Sequence, residues 1–251
     1  MSDVIVYAGD CHGNVDAVSK IDMFADRIGA KTIVQVGDFA YCWPGKKVMS
    51  DYFSKRSRQG NLSARWLTCG GNHEDWDEID ALWELQGKPD IVTLGPDVSH
   101  VRRAVTLDLG GVRHLFCGGA NSTDREWRIE GQSWWKQEAP SREELLSFHD
   151  RLHEDKPEVV ITHDAPVRVD LWRSGREHDS VARGLDGALG EGYPNLKWYF
   201  GHHHVLMNVS VGSTSFYGCG IEGGLWTSDG FSVNLAKQSI KDAVEDYRSS
   251  K

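Results

Sequence analysis

Val4-Ile5-Val6-Tyr7-Ala8-Gly9-Asp10-Cys11-His12-Gly13 is the stretch that decides the fold class. A short unbroken apolar run closed by glycine is the mark of a strand buried on both faces. Directly behind it stand Asp10 and His12, a carboxylate and an imidazole two residues apart, which extended backbone points the same way. The arrangement recurs along the chain. Ile33 to Val36 precedes Gly37-Asp38, and Arg65 to Cys69 precedes Gly70-Gly71-Asn72-His73-Glu74-Asp75. Val159 to Thr162 precedes His163-Asp164, and Lys197 to Phe200 precedes Gly201-His202-His203-His204.

Between the early strands lie stretches with apolar residues at helical spacing: Val15 to Ile28, Val48 to Arg58 and Asp75 to Leu85. Strands alternating with helices predict a mainly parallel sheet covered by helices. Farther on, Val101 to Leu109 and Val112 to Cys117, joined through Gly110-Gly111, predict a hairpin. Gly118 to Glu138 has no period and reads as a long loop, of a length that is often functional. Ser141-Arg142-Glu143-Glu144 predicts a capped helix to about His153. Val205 to Leu235 reads as β-rich, and Ser239 to Tyr247 as a last helix. With no repeat or linker, residues 1–251 are expected to form a single domain.

Composition narrows the function classes. The chain of 251 residues is 39% hydrophobic and 26% charged, as ordinary globular proteins are. Its net charge of -9 opposes extended nucleic-acid binding, which needs a basic face, but not a small phosphorylated substrate whose charge metal ions can meet. No run approaches the ~20 apolar residues of a membrane span. Five scattered cysteines without CxxC spacing, and an N-terminus that enters Asp3-Val4-Ile5-Val6 directly, lead us to expect reduced thiols, no signal peptide and a cytoplasmic location.

In an α/β sheet the C-terminal strand ends converge on one edge, where ligands bind. Taken singly, each polar fragment would serve equally as a strand cap or a turn; five of them at five strand ends define one candidate site. Carboxylate, amide oxygen and imidazole together suit Mn, Fe, Zn or Ni. The fragments, in the order DxH, GD, GNH, H and GHxH, resemble the calcineurin-like metallophosphoesterase superfamily. The resemblance runs from residue 10 to residue 204.

That resemblance implies an α/β fold, a four-layer αββα sandwich of two mixed β-sheets flanked by helices. It implies two divalent metal ions, manganese foremost, with Asp10, His12 and His204 on the first, Asn72, His163 and His202 on the second, and Asp38 between them. It implies hydrolysis of phosphomonoesters or phosphodiesters, nucleotides among the candidates, by a metal-bridging hydroxide, with His73 assisting the leaving group. In the protein serine/threonine phosphatase branch an aspartate and an arginine follow GD. Here Phe39-Ala40-Tyr41-Cys42 stands instead, which disfavours that branch and leaves Glu74, Asp75 or Asp164 as candidate partners of His73. A non-catalytic scaffold is the other alternative, opposed by the retention of His73 and every ligand position.

Gly118-Gly119-Ala120-Asn121-Ser122, followed by Arg125 and the Trp134-Trp135 pair, resembles small bacterial and phage members. Two readings of this loop stand side by side. Arg125 or Arg128 can bind a substrate phosphate while Trp127, Trp134 or Trp135 stacks on a base, or the aromatics pack the loop down and the arginines pair with carboxylates. Alternation turns Cys11 into the core and His203 away from its neighbours. His149 and His153 read as a solvated helix face, and His100, His114 and His178 as ordinary histidines.

Overall fold

A computed structural model describes residues 3–45, 47–169, 171, 179–190 and 193–251; His178 lies outside them. The first half runs β1 (Ile5–Ala8), α1 (Val15–Ile28), β2 (Thr32–Gln35), α2 (Val48–Arg58), β3 (Arg65–Thr68) and α3 (Trp76–Leu85). It continues through β4 (Ile91–Gly95), β5 (Val98–Val101), β6 (Val105–Leu109) and β7 (Val112–Cys117). After two short 3₁₀ turns come α4 (Arg142–Asp155), β8 (Val159–Thr162), α5 (Ser180–Leu189) and β9 (Lys197–Phe200). The tail holds β10 (Met207–Val211), β11 (Thr214–Gly218), β12 (Gly224–Thr227), β13 (Ser232–Asn234) and α6 (Ile240–Ser249).

Two mixed sheets result. One has the order β13-β12-β1-β2-β3-β5-β4 and the other β10-β11-β9-β8-β7-β6. The strands that carry the candidate fragments are parallel neighbours within each sheet: β1, β2 and β3 in the first, β8 and β9 in the second. Their C-terminal ends therefore lie along one edge of each sheet.

The period of two in every strand generates the layers. Val6 and Ala8, with Ile33 and Trp66, pack against Val18, Ile21 and Phe24 of α1 and Val244 and Tyr247 of α6. Their chain neighbours Ile5, Tyr7, Val34 and Leu67 point the opposite way, onto Phe116, Val159, Ile161 and Tyr199 of the second sheet. Leu115, Val160, Trp198 and Phe200 then face Phe148 and Leu152 of α4 and Leu185 and Leu189 of α5. The order is helix, sheet, sheet, helix: the four-layer αββα sandwich expected.

Local chemistry explains most boundaries. Asn14 accepts from the N–H groups of Asp16 and Ala17 to start α1, and Gly29 in left-handed conformation ends it. Ser141 and Glu144 form the reciprocal capping box at α4. Gly110 and Gly111, with φ of 66° and 83°, turn β6 into β7.

The expected strand from Val101 to Leu109 is instead two strands in different sheets. Val101 ends β5 in the first sheet, Ala104 turns with φ of 58°, and Val105 begins β6 in the second. Both halves face the inter-sheet core through Val101, Val105 and Leu109, so apolar alternation does not register the change of sheet. Helix α5, which the sequence pattern does not announce, is capped by Asp179 through the N–H groups of Val181 and Ala182. All five cysteines are free and buried, Cys11 in the helix-side core. Among the described residues no helix is long and apolar enough to cross a membrane.

A buried polar tie joins β1 of the first sheet to β7 of the second. The Tyr7 hydroxyl of β1 donates to His114 Nε2 of β7 at 2.8 Å, and His114 Nδ1 donates to the Val112 carbonyl at 2.8 Å. This satisfies the neutral imidazole completely, and burial pushes the His114 pKa down to about 4, against the pull of the Val112 bond and of Glu158 and Asp108. The unfolded chain takes up this proton near pH 6.5 and the folded chain only near 4, so the unfolded state binds more protons in between. Stability is therefore lost as pH falls through that window, by roughly 3 kcal/mol from this group. Denaturant midpoints measured from pH 7 to pH 4 are expected to fall less steeply in His114→Gln than in the parent protein.

Candidate metal centre

The five fragments meet at the shared edge, and they hold one another in place. Cys11 and His12 donate their backbone N–H groups to the Asp38 carbonyl at 3.1 and 2.8 Å, and Gly13 donates to Phe39. His73 N–H donates to Asp38 Oδ1 at 2.7 Å. His202 N–H donates to the two Asp10 carboxylate oxygens at 3.2 and 3.0 Å, and Gly201 N–H to the His163 carbonyl. His163 Nδ1 donates to the Val36 carbonyl at 2.9 Å, which turns Nε2 inward.

This interlocking sustains unusual backbone. His12, Asp38, His202 and His204 are left-handed, with φ of 47°, 55°, 60° and 58°. Each such residue costs about 1–2 kcal/mol, and strain of this kind gathers at functional sites. Close packing adds a second constraint. A Cβ on Gly71 would overlap the Asp38 carboxylate and backbone, and one on Gly201 would overlap Asp10.

The side chains form overlapping cation-sized groups. Asp10, His12 and His204 offer ligand atoms within 4.8 Å of one another, as do His12, Asp38 and His73, and Asp38, His163 and His202. His204 Nε2 lies 3.2 Å from Asp10 Oδ2, and 3.2 Å from His12 Nε2. Asn72 joins at the far side, its Oδ1 3.1 Å from His163 Nε2. Asp38 stands between the groups: Oδ2 is 3.8 Å from His12 Nε2 and Oδ1 is 3.3 Å from His163 Nε2.

Electrostatics point the same way. Burial resists ionisation of Asp38, but His163, His73 and His12 outweigh it and hold the carboxyl well below its usual range. Burial alone would lower the His163 pKa; Asp38 and Asp10 reverse this and hold it up at about 10. The pocket between these groups thus demands positive charge, which a proton on Nε2 supplies and a divalent cation supplies better. Burial brings His202 down to about 4, keeping its ring neutral as a ligand must be, while the hydrogen bond that His204 donates to Asp10 raises its own pKa. These residues fit metal ions by donor type, spacing and charge.

The candidate partners of His73 are engaged elsewhere. Glu74 accepts the Phe39 N–H at 2.8 Å, Asp75 caps α3 through the Glu78 N–H, and Asp164 accepts from His203 Nε2 at 2.7 Å. Among the described residues no carboxylate hydrogen-bonds the His73 ring, which lies 5.2 Å from that of His12 and 5.9 Å from that of Trp43. Burial lowers its pKa, assisted by Arg128 and His12 and opposed by Asp38.

The loop from Gly118 to Glu138 reaches the cluster through Ser122 and Glu138, to which no sequence motif assigns a role. Ser122 Oγ accepts from Asn72 Nδ2 at 3.1 Å, so the amide oxygen faces His163. Arg128 donates to Ser122 Oγ at 2.6 Å, to buried Glu138 at 2.9 Å and to the Asn72 carbonyl at 3.1 Å. Arg125 stacks on Trp134 at 4.1 Å, Trp135 is buried, and Trp127 is exposed. His149 pairs with Asp150 on α4, His153 meets the Tyr193 hydroxyl, and neither joins a cation-sized group among the described residues.

Two mixed sheets flanked by helices thus carry, at their strand ends, a carboxylate-imidazole cluster that could hold metal ions. Residues 4–206 match the calcineurin-like phosphoesterases, and the chain belongs to that family. One solved structure aligns with it at a TM-score of 0.59 and 16% identity, covering 93% of this chain and 98% of the other. TT1561 of Thermus thermophilus aligns at a TM-score of 0.54 and 15% identity, covering 90% of this chain and 94% of that one. Both likenesses concern the fold. No match was found among curated proteins.

Two glycines make a paired test of the packing. Gly71→Ala pushes a methyl group into Asp38 and is expected to destabilise by ~1–3 kcal/mol, as overpacking does. Gly187→Ala, in α5 with nothing within 4 Å of the added methyl, is expected to stabilise by about 0.5–1 kcal/mol. Thermal melts of the two variants should move in opposite directions.

Proposed function

We propose that this chain hydrolyses phosphate esters, mono- or diesters of small molecules, with two divalent cations at the cluster. The observation that carries the reading is Asp38, whose two carboxylate oxygens face His12 on one side and His163 on the other. Asp10, His12 and His204 would hold one ion and Asn72, His163 and His202 the other, with Asp38 placed to serve both. The mixed oxygen and imidazole donors suit Mn, with Fe, Zn or Ni as alternatives.

When bound, such a pair of ions acidifies water and neutralises charge on phosphoryl oxygens. The protein's own groups do the rest. Asp38 and Asp10 fix the separation of the two ligand sets, and their backbone ties keep it from relaxing. His73, at the rim beside His12, is the side chain in reach of a leaving oxygen. Its lowered pKa makes it give up a proton readily, and an adjacent anionic phosphoryl group raises that pKa again on binding.

The segment after Asp38 supports a small substrate over a phosphoprotein. Phe39, Tyr41 and Cys42 are buried, and Phe39 stacks on Trp66 at 5.3 Å. The segment is thus committed to the core and carries no phosphate-gripping arginine. Buried reduced cysteines support a cytoplasmic setting.

With Mn²⁺ added, the purified protein is expected to turn over p-nitrophenyl phosphate or bis-p-nitrophenyl phosphate, and the ratio of rates sorts monoesterase from diesterase. Asp38→Asn should abolish turnover and lower the bound metal. Turnover of neither ester by metal-loaded protein, with metal content unaffected by Asp38→Asn, would sink the proposal. His73→Ala should keep its metal and lose on the order of 10²–10⁴ in kcat. Chelation should lower the melting temperature and Mn²⁺ should restore it.

A further inference from the structure

We propose that the ester's leaving group is a nucleoside, whose base stacks on Trp43 in the cavity beside the cluster. The inference rests on the phosphoesterase reading above and adds the substrate class.

A cavity of about 300 Å³ opens between the imidazoles of His12 and His73 and a wall formed by Gly13, Ala40, Trp43 and Val48. That size is at the lower end of the range for small-ligand pockets. One side is the rim where His73 would meet a leaving oxygen, so whatever the phosphoryl group carries on that oxygen projects into this space. Beyond the two imidazoles, the wall offers only aromatic and apolar side chains among the described residues. A sugar phosphate or phosphoamino acid would gain little from the Ala40, Trp43 and Val48 side of this wall. A flat heterocycle gains contact on its face instead.

The wall is built to hold its shape. Trp43 is half-buried, its ring 5.9 Å from His73 and set edge-on at 6.1 Å to the buried ring of Trp135. Ala40 is left-handed with φ of 55°, and the adjoining Phe39 N–H is pinned by buried Glu74. Val48, the first residue of α2, is 48% exposed, an apolar side chain at the mouth. A second large cavity at the loop is unlike it: Trp134 lines it too, but with Arg125 stacked on its ring and Glu126, Arg128 and Glu130 around it. The charged surroundings there suit water and ion pairs. Of these two cavities, only the one at Trp43 joins an aromatic wall to the cluster's imidazoles.

The test compares alcohols that leave through the same primary oxygen. Adenosine 5′-monophosphate and ribose 5-phosphate, each also as its methyl diester, differ only in the base. The Mn²⁺-loaded protein is expected to favour the base-bearing ester by about 10-fold or more in kcat/KM. Trp43→Ala should bring the ratio close to one, and Trp43→Phe should retain part of it. On the unmodified protein, adenosine should compete with p-nitrophenyl phosphate at concentrations where ribose does not. A ratio near one in the parent protein, a ratio that survives Trp43→Ala, or turnover of p-nitrophenyl esters without turnover of any adenosine ester would overturn the inference and leave the phosphoesterase standing. Failure to hydrolyse any of these esters with metal bound would remove the phosphoesterase itself.

Discussion

The Asp38 carboxylate is buried to 1% exposure, and three imidazoles and a backbone N–H surround it. A buried carboxylate is tolerated only where hydrogen bonds and positive charge replace the water it lost. Meeting that demand organises the neighbourhood. Asp38 takes a left-handed backbone, its carbonyl receives two N–H groups from the first fragment, and its side chain receives one from the third. The fragments converge because each completes the hydrogen bonding of another. The two sheets also share a dry core with its own polar tie at Tyr7 and His114, which keeps their ligand-bearing edges in fixed relation.

Around this centre the long loop shows, at Arg128, the second of its two readings, an arginine paired with a carboxylate. Arg128 is drawn inward to Glu138, Ser122 and the Asn72 carbonyl. Burial pushes Glu138 up to about 7, against the hydrogen bonds from Ser122 and Trp135 and the charge of Arg128. Ser122 in turn decides which end of the Asn72 amide faces the cluster. Asparagine can present oxygen or nitrogen, and only oxygen binds a cation, so a neighbour that accepts from Nδ2 does half of the ligand's work. The aromatic wall of the cavity comes from Trp43, five residues past Asp38, braced by Trp135 of the same loop as Ser122.

What was legible in the sequence was local. A strand followed by a polar turn is contiguous, so Asp10, His12, Asp38, Asn72, His163, His202 and His204 could be picked out with their strands. Helix α1 could be read to its ends, because Asn14 and Gly29 are caps that act within one turn. Less legible was whatever depended on distant neighbours. Val101 and Val105 alternate as one strand would, yet belong to different sheets. Glu74, Asp75 and Asp164 are equally plausible partners for His73 on paper, and each is claimed by a backbone amide or by His203 in space. A lone tryptophan such as Trp43 carries no local sign of the cavity it lines.

The sequence by itself determined the class of fold and the chemical type of the cluster, because periodicity, caps and metal-ligand types are properties of short segments. Only the tertiary structure decided how the side chains of the cluster are placed and oriented: Asp38 between two groups, His163 turned inward by Val36, Asn72 held by Ser122, Arg128 paired with Glu138. The reason is physical. Hydrogen-bond partners, burial and the fields that shift a pKa come from residues far apart in the chain, and their competition is resolved only when all are packed together.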